Sequence, residues 1–209
     1  MDGEGTLITT EMCLLSQGRN PHMTKEEIGE QLKQYLDLDK IIWLRDGIDP
    51  EETNGHVDDL VCFARPGEVI CIYTDDPGHP FYQAAQEAYR TLCDATDARG
   101  RRLVVHKLCM TKKPVTPGED FCIDVTEDAV PRSGDDICIA SYANFLITTG
   151  GVIVPQYDDE NDALALKQLA EIFPDRKVVG VRTREIVYGG GNIHCITQQL
   201  PVRRDNPFR

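Results

Sequence analysis

Apolar runs broken by tight turns recur along this chain. Leu60 to Asp76 reads LVCFARPGEVICIYTDD, and Ala143 to Asp159 reads ANFLITTGGVIVPQYDD. Each stretch is an apolar run, a tight turn (Arg65-Pro66-Gly67 or Thr149-Gly150-Gly151), a second apolar run and two aspartates. Both predict β-hairpins. The paired aspartates are expected near the start of the next helix, where unpaired N–H groups favour negative charge. Apolar residues then recur at helix spacing. Phe81, Ala84, Ala85, Ala88, Tyr89 and Leu92 follow the first hairpin, and Leu164, Leu166, Leu169, Ala170 and Phe173, less regularly, the second. A short β-rich run closes each unit, Leu103-Val104-Val105 and Val178-Val179-Gly180-Val181. The repeat is ββαβ, and the fold class is α+β.

A partial copy precedes these two. Thr6 to Leu15 predicts a strand, and Thr24 with Glu27 a capping box. Ile28, Leu32, Tyr35 and Leu36 predict a helix, and Ile41-Ile42-Trp43-Leu44 a second strand. This unit lacks its first strand. Trp43 is expected in the core rather than as a substrate platform. At the other end, Ile193 to Thr197 predicts a strand that opens a further unit. The expected organisation is one incomplete domain: a partial unit over 1–47, a unit over 55–110, a proline-bearing insertion loop over 111–135, a unit over 136–183, a closing strand over 186–200 and a mobile tail over 201–209. Radial repeats bury their faces only against neighbours. Open ends therefore predict a fragment, or a chain whose partner supplies the missing units, and a tendency to self-associate into a homo-oligomer.

Composition narrows the function classes. With 209 residues, 41% hydrophobic and 27% charged, the chain can bury a core and is not a disordered segment. A net charge of −13 disfavours nucleic acid as a partner and favours a cationic one. The eight cysteines form no C-x-x-C pair and no zinc-ligand spacing, and several sit inside apolar runs such as Val61-Cys62-Phe63 and Ile70-Cys71-Ile72. Free buried thiols imply a reducing compartment, and the cytoplasm is expected. No apolar run approaches transmembrane length, so no membrane partner is expected.

Two segments carry candidate chemistry. In Tyr188-Gly189-Gly190-Gly191-Asn192-Ile193-His194-Cys195-Ile196-Thr197, three glycines permit close backbone approach and a cysteine follows just inside the predicted strand. A cysteine taken alone is more often a core thiol, but the glycine run shifts the balance towards a site. His194 should point away from Cys195 on a strand and serve a structural role. In Thr53-Asn54-Gly55-His56-Val57-Asp58-Asp59, strand alternation would place His56 and Asp58 on one face. Together the segments offer a nucleophile, an acid/base and a carboxylate, provided the fold brings them together.

A resemblance spans nearly the whole chain. Asp2-Gly3-Glu4-Gly5-Thr6, Arg19-Asn20-Pro21-His22-Met23, Ile42-Trp43-Leu44, Thr53-Asn54-Gly55-His56-Val57-Asp58, Phe63-Ala64-Arg65-Pro66-Gly67 and Gly190-Gly191-Asn192-Ile193-His194-Cys195-Ile196-Thr197-Gln198-Gln199 resemble, in order, the agmatine deiminases of the pentein superfamily. The resemblance implies a β/α propeller of five ββαβ units, of which this chain would hold two complete and some partial ones. It implies Cys195 as nucleophile, His56 as general acid/base and Asp58 as a guanidinium ligand. Agmatine would be hydrolysed to N-carbamoylputrescine and ammonia, towards putrescine, with no metal or organic cofactor. The family's Glu in an E-G-G motif and a further guanidinium-binding Asp have no counterpart here. Asp59 stands where the family commonly has Asn, and Arg45-Asp46-Gly47 departs from its Pro-Arg-Gly. Two other expectations stay open: a catalytically incompetent fragment, or a deiminase of arginine or peptidyl-arginine.

Overall fold

The computed structural model describes residues 1–48, 53–118 and 133–200. Elements β1 (Thr6–Thr10), α1 (Glu11–Leu14), α2 (Lys25–Leu36) and β2 (Lys40–Leu44) come first. A 3-10 turn (Val57–Asp59) leads into β3 (Val61–Arg65), β4 (Glu68–Tyr73), α3 (Tyr82–Asp94) and β5 (Val104–Cys109). Then follow β6 (Leu146–Ile147), β7 (Gly151–Gln156), α4 (Asp162–Ile172), β8 (Lys177–Arg182) and the short α5 (Arg184–Val187). The fold is α+β, with a two-stranded sheet β1-β2 and two three-stranded sheets, β3-β4-β5 and β6-β7-β8.

Both predicted hairpins form. β3 pairs antiparallel with β4 through Val61↔Cys71, and β6 pairs antiparallel with β7 through Leu146↔Ile153. The first turn needs glycine at Gly67, where φ is +79°. In each sheet the second strand then pairs in parallel with the strand that follows the helix. The tail at 201–209 and the insertion segment 119–132 lie outside the described residues. The ends of that insertion meet, since the Gly118 N–H donates to the Gly134 carbonyl at 2.9 Å.

Four local expectations are corrected. The strand predicted from Thr6 to Leu15 stops at Thr10, because the Thr10 hydroxyl accepts the Cys13 N–H and caps a helical turn there. In α2 the capping box forms, and Ile28 is buried, but Tyr35 (80% exposed) and Leu36 lie outside the helix's contact with the sheet. On α4 the buried face is Ala165, Leu169, Ile172 and Phe173, with Leu164 and Ala170 exposed. Spacings of four, three and one residues keep that set on a single stripe, which the expected set does not achieve. Ile193 to Thr197 is not a strand but a helical turn, closed by the Ile196 N–H on the Asn192 carbonyl at 3.2 Å and the Thr197 N–H on the His194 carbonyl at 3.1 Å.

One continuous core runs through the three sheets, from Ile8 and Leu44 through Ile70, Ile72 and Leu92 to Val152, Val154 and Phe173. Polar clasps tie neighbouring units. Arg65 Nη2 donates to the Ile172 carbonyl at 2.6 Å, and the Cys109 N–H donates to Gln168 Oε1 at 2.9 Å. The seven described cysteines are free thiols. Burial is the first cause that pushes Cys62 up to about 11, and Cys71 and Cys109 each up to about 12. Thiols that ionise less readily when folded make the unfolded chain the better proton donor at alkaline pH. Stability is therefore fully present below the ordinary thiol value of 9.0 and falls as pH rises above it. Denaturant midpoints should drop between about pH 8 and about pH 10.5, and drop less in Cys71→Ala.

Candidate active site

The entries to the two hairpins and the turn after α5 converge on one point. Before β3, residues 57–59 form a 3-10 turn rather than the strand expected there. His56 and Asp58 therefore do not share a strand face. The turn aims Asp58 at the 193–197 segment. Asp58 Oδ2 accepts from His194 Nδ1 at 2.8 Å and from Cys195 Sγ at 3.3 Å. The adjacency of Asp58 and Cys195, 137 residues apart in sequence, is thus formed. His194 does not point away from Cys195, because a helical turn, unlike a strand, lets neighbouring side chains reach the same carboxylate.

Glycine makes room for the thiol. At Gly191 φ is +145°, and a Cβ there would lie 2.8 Å from Cys195 Sγ and 3.0 Å from its Cβ. Asn192, fully buried, ties the turn to the residue before α5: Oδ1 accepts the Ile193 N–H at 2.9 Å and Nδ2 donates to the Thr183 carbonyl at 3.4 Å. Arg184, on α5, donates to the Tyr157 and Thr116 carbonyls at 3.0 Å each and fixes the chain just ahead of the glycines.

Sequence reasoning missed Asn144, which joins all three segments. It is 0% exposed. Its Nδ2 donates to Asp59 Oδ1 at 2.9 Å, to Asp58 Oδ2 at 3.2 Å and to Cys195 Sγ at 3.2 Å. Its Oδ1 accepts the His194 N–H at 2.9 Å and the Cys195 N–H at 3.4 Å. A signal existed: Asn144 is a polar residue inside the apolar run Tyr142-Ala143-Asn144-Phe145-Leu146, at the entry to the second hairpin as the aspartates are at the entry to the first.

The electrostatics follow from this packing. Burial works against an ionised Asp58, but the His194 hydrogen bond and charge and the Cys195 thiol outweigh it and hold the carboxyl below its ordinary value. The Asp58 hydrogen bond, in turn, raises His194. The pair stabilises the fold in the window above the ordinary Asp value of 3.8 and below the ordinary His value of 6.5. Asp58's share is lost as pH falls, and His194's as pH rises. Cys195 is exposed as a residue, yet its sulfur is partly desolvated and faces Asp58 and Asp59, and the thiol is pushed up to about 11. Asn144 and the Asn192 backbone oppose this only in part. Alkylation of Cys195 by iodoacetamide should therefore keep accelerating above about pH 9 instead of levelling off, and Asp58→Asn should move the curve to lower pH.

His56 stands on the same loop, and its Nε2 accepts from Arg19 Nη2 at 2.6 Å. Trp43 is half-buried, with Lys25 Nζ 5.2 Å from its ring centroid. Ligand atoms of Asp58, Asp59 and Cys195 lie within 4.8 Å of one another. A protonated thiol and carboxylates already engaged by an amide suit a planar cation rich in N–H donors better than a bare metal ion. Among the described residues no helix is long and apolar enough to cross a membrane.

Residues 1–201 match the Porphyromonas-type peptidyl-arginine deiminase family. A Lactococcus lactis protein named provisionally an agmatine deiminase is 67% identical over 201 residues, covering 96% of this chain and 55% of the relative. The agmatine deiminase of Pseudomonas aeruginosa is 48% identical over 206 residues, covering 98% and 56%. A solved structure of the Enterococcus faecalis agmatine deiminase, described as catalysing its reaction, superposes with a TM-score of 0.94 at 64% identity, covering 96% of this chain and 55% of that one. The chain thus spans about half the length of the relatives it matches.

Proposed function

Because the chain belongs to the Porphyromonas-type peptidyl-arginine deiminase family, we propose that it carries the nucleophile-bearing part of a guanidinium hydrolase acting on agmatine. The observation that carries this reading is an exposed thiol, Cys195, in contact with a carboxylate, Asp58. Agmatine is the substrate favoured by the names of the relatives. The ββαβ units are read as part of a β/α propeller, and self-association of the chain is expected.

In this reading Asp58 pairs with guanidinium N–H groups, a fork that matches a carboxylate. Burial first, and then the Asp58 and Asp59 charges, keep Cys195 protonated; the incoming cation offsets the charge contribution, so ionisation of the thiol is coupled to substrate binding. The thiol proton passes to His56. The thiolate attacks the guanidinium carbon, and a carbon–nitrogen bond breaks as His56 returns the proton to the leaving nitrogen, releasing ammonia. A thiouronium remains on sulfur. Water, deprotonated by His56, adds to its carbon, the carbon–sulfur bond breaks, and N-carbamoylputrescine leaves with the thiol restored.

The test is incubation of the 209-residue chain with agmatine or with arginine. Ammonia, carbamoylated product and acid-quenched adducts on Cys195 are measured. Product from agmatine, or an adduct with the mass of agmatine less ammonia, is expected. Product from arginine alone would reassign the substrate. Neither product nor adduct from either would remove the reading.

A further inference from the structure

Two segments 37 residues apart are hung from one buried hydroxyl. Thr10, 0% exposed at the end of β1, donates to the Gly55 carbonyl at 2.6 Å and accepts the Cys13 N–H at 3.3 Å. The first bond fixes the residue before His56. The loop is also held from behind, since a Cβ on Gly47 would run into the Gly55 carbonyl. The second bond starts α1, which runs into a turn where the Arg19 and Asn20 N–H groups reach the Ser16 carbonyl at 3.0 and 3.2 Å. Asn20 Nδ2 then donates to the Leu14 carbonyl at 2.8 Å. This anchored turn delivers the exposed Arg19 to His56.

A guanidinium has only donors. The 2.6 Å contact therefore occupies the lone pair of His56 Nε2 and leaves the ring proton on Nδ1. An imidazole in that state has no nitrogen ready to accept a proton from a thiol or from water. Resting on the reading of His56 as acid/base, we infer that the Arg19–His56 contact is a latch: it withholds Nε2 from proton transfer until a guanidinium cation seated at Asp58 drives Arg19 away by like-charge repulsion. Arg19 on the turn and Asp58 on the loop act with opposite sign on one thiol, that of Cys13, which burial raises first. Arg19 lies on the surface, so its release uncovers no core.

The test is nitrogen NMR of the imidazoles in the 15N-labelled chain, with His56 assigned by its disappearance in His56→Gln. In the free chain His56 should show a protonated Nδ1 and a hydrogen-bonded, unprotonated Nε2. Arg19→Met, which keeps the length and removes the donors, should shift the ring towards the Nε2–H form and speed carbethoxylation of His56 by about 10-fold. Saturating agmatine should move the wild-type ring towards the variant's signals. Identical His56 signals in the wild type and Arg19→Met would overturn the latch. It would also fall if agmatine shifts His194, beside Asp58, while His56 stays in its free state; the substrate reading would survive that result. If agmatine moves neither ring, the substrate reading fails, and the Arg19→Met comparison alone decides the latch.

Discussion

Cys195→Ala should abolish product formation from agmatine, by about 10³-fold or more, while leaving the melting temperature within about 2 °C of the wild type. The two halves of this expectation come from the same contacts. The sulfur is a weak hydrogen-bonding group, 3.3 Å from Asp58 Oδ2 and 3.2 Å from Asn144 Nδ2. Asp58 keeps His194, and Asn144 keeps Asp59, so no buried group is orphaned when the thiol goes. The residue is exposed, so no cavity opens in the core. Cys195→Ser should be equally inactive, because a hydroxyl in the same negative field ionises even less readily than a thiol pushed up to about 11. Turnover that persists in Cys195→Ala would assign the nucleophile elsewhere. A large fall in melting temperature would mean that the thiol is part of the structure.

Asn144→Asp should do the opposite: an isosteric change that costs both fold and function. Asn144 is buried, and its Nδ2 is shared among two carboxylates and the thiol. Replacing that donor by an acceptor sets a third carboxylate against Asp58 and Asp59, and either a proton is taken up or the cluster opens. The expected loss is about 3 kcal/mol, roughly 10 °C in Tm for a chain of this size. The Oδ1 contacts to the His194 and Cys195 N–H groups survive in principle, so Asn144→Asp should be less stable at pH 8 than at pH 5, where the added acid can be protonated. Melting curves at the two pH values check this. Equal stability of variant and wild type at pH 8 would show that the amide hydrogens are dispensable.

Much of the fold was legible because it is locally encoded. The hairpins follow from apolar runs flanking Pro66-Gly67 and Gly150-Gly151, and α3 from residues such as Ala85, Ala88 and Leu92 recurring at helix spacing. Readings failed where a short polar side chain competed with the pattern. Thr10 captures an N–H and ends β1, and Asn192 and Thr197 curl the 193–197 segment into a turn, with Thr197 Oγ1 donating to the Ile193 carbonyl at 2.9 Å. Thr10 and Thr197 lie in runs that read as strands, and the pattern of apolar positions carries no record of side-chain bonds to the backbone.

The sequence by itself determined the two hairpins and the longer helices that follow them, the family resemblance, and the identities of Cys195, His56 and Asp58 as chemical groups worth joining. Only the tertiary structure decided which of them touch. Asp58 meets Cys195, His194 joins them, Asn144 bridges the carboxylates to the turn, and His56 is engaged by Arg19. The physical reason is range. Turns and amphipathic faces arise from hydrogen bonds and burial among residues a few positions apart, which composition and spacing record. The site arises from contacts across 37 to 137 residues, fixed by how the sheets pack on one core and by which buried donor finds which acceptor.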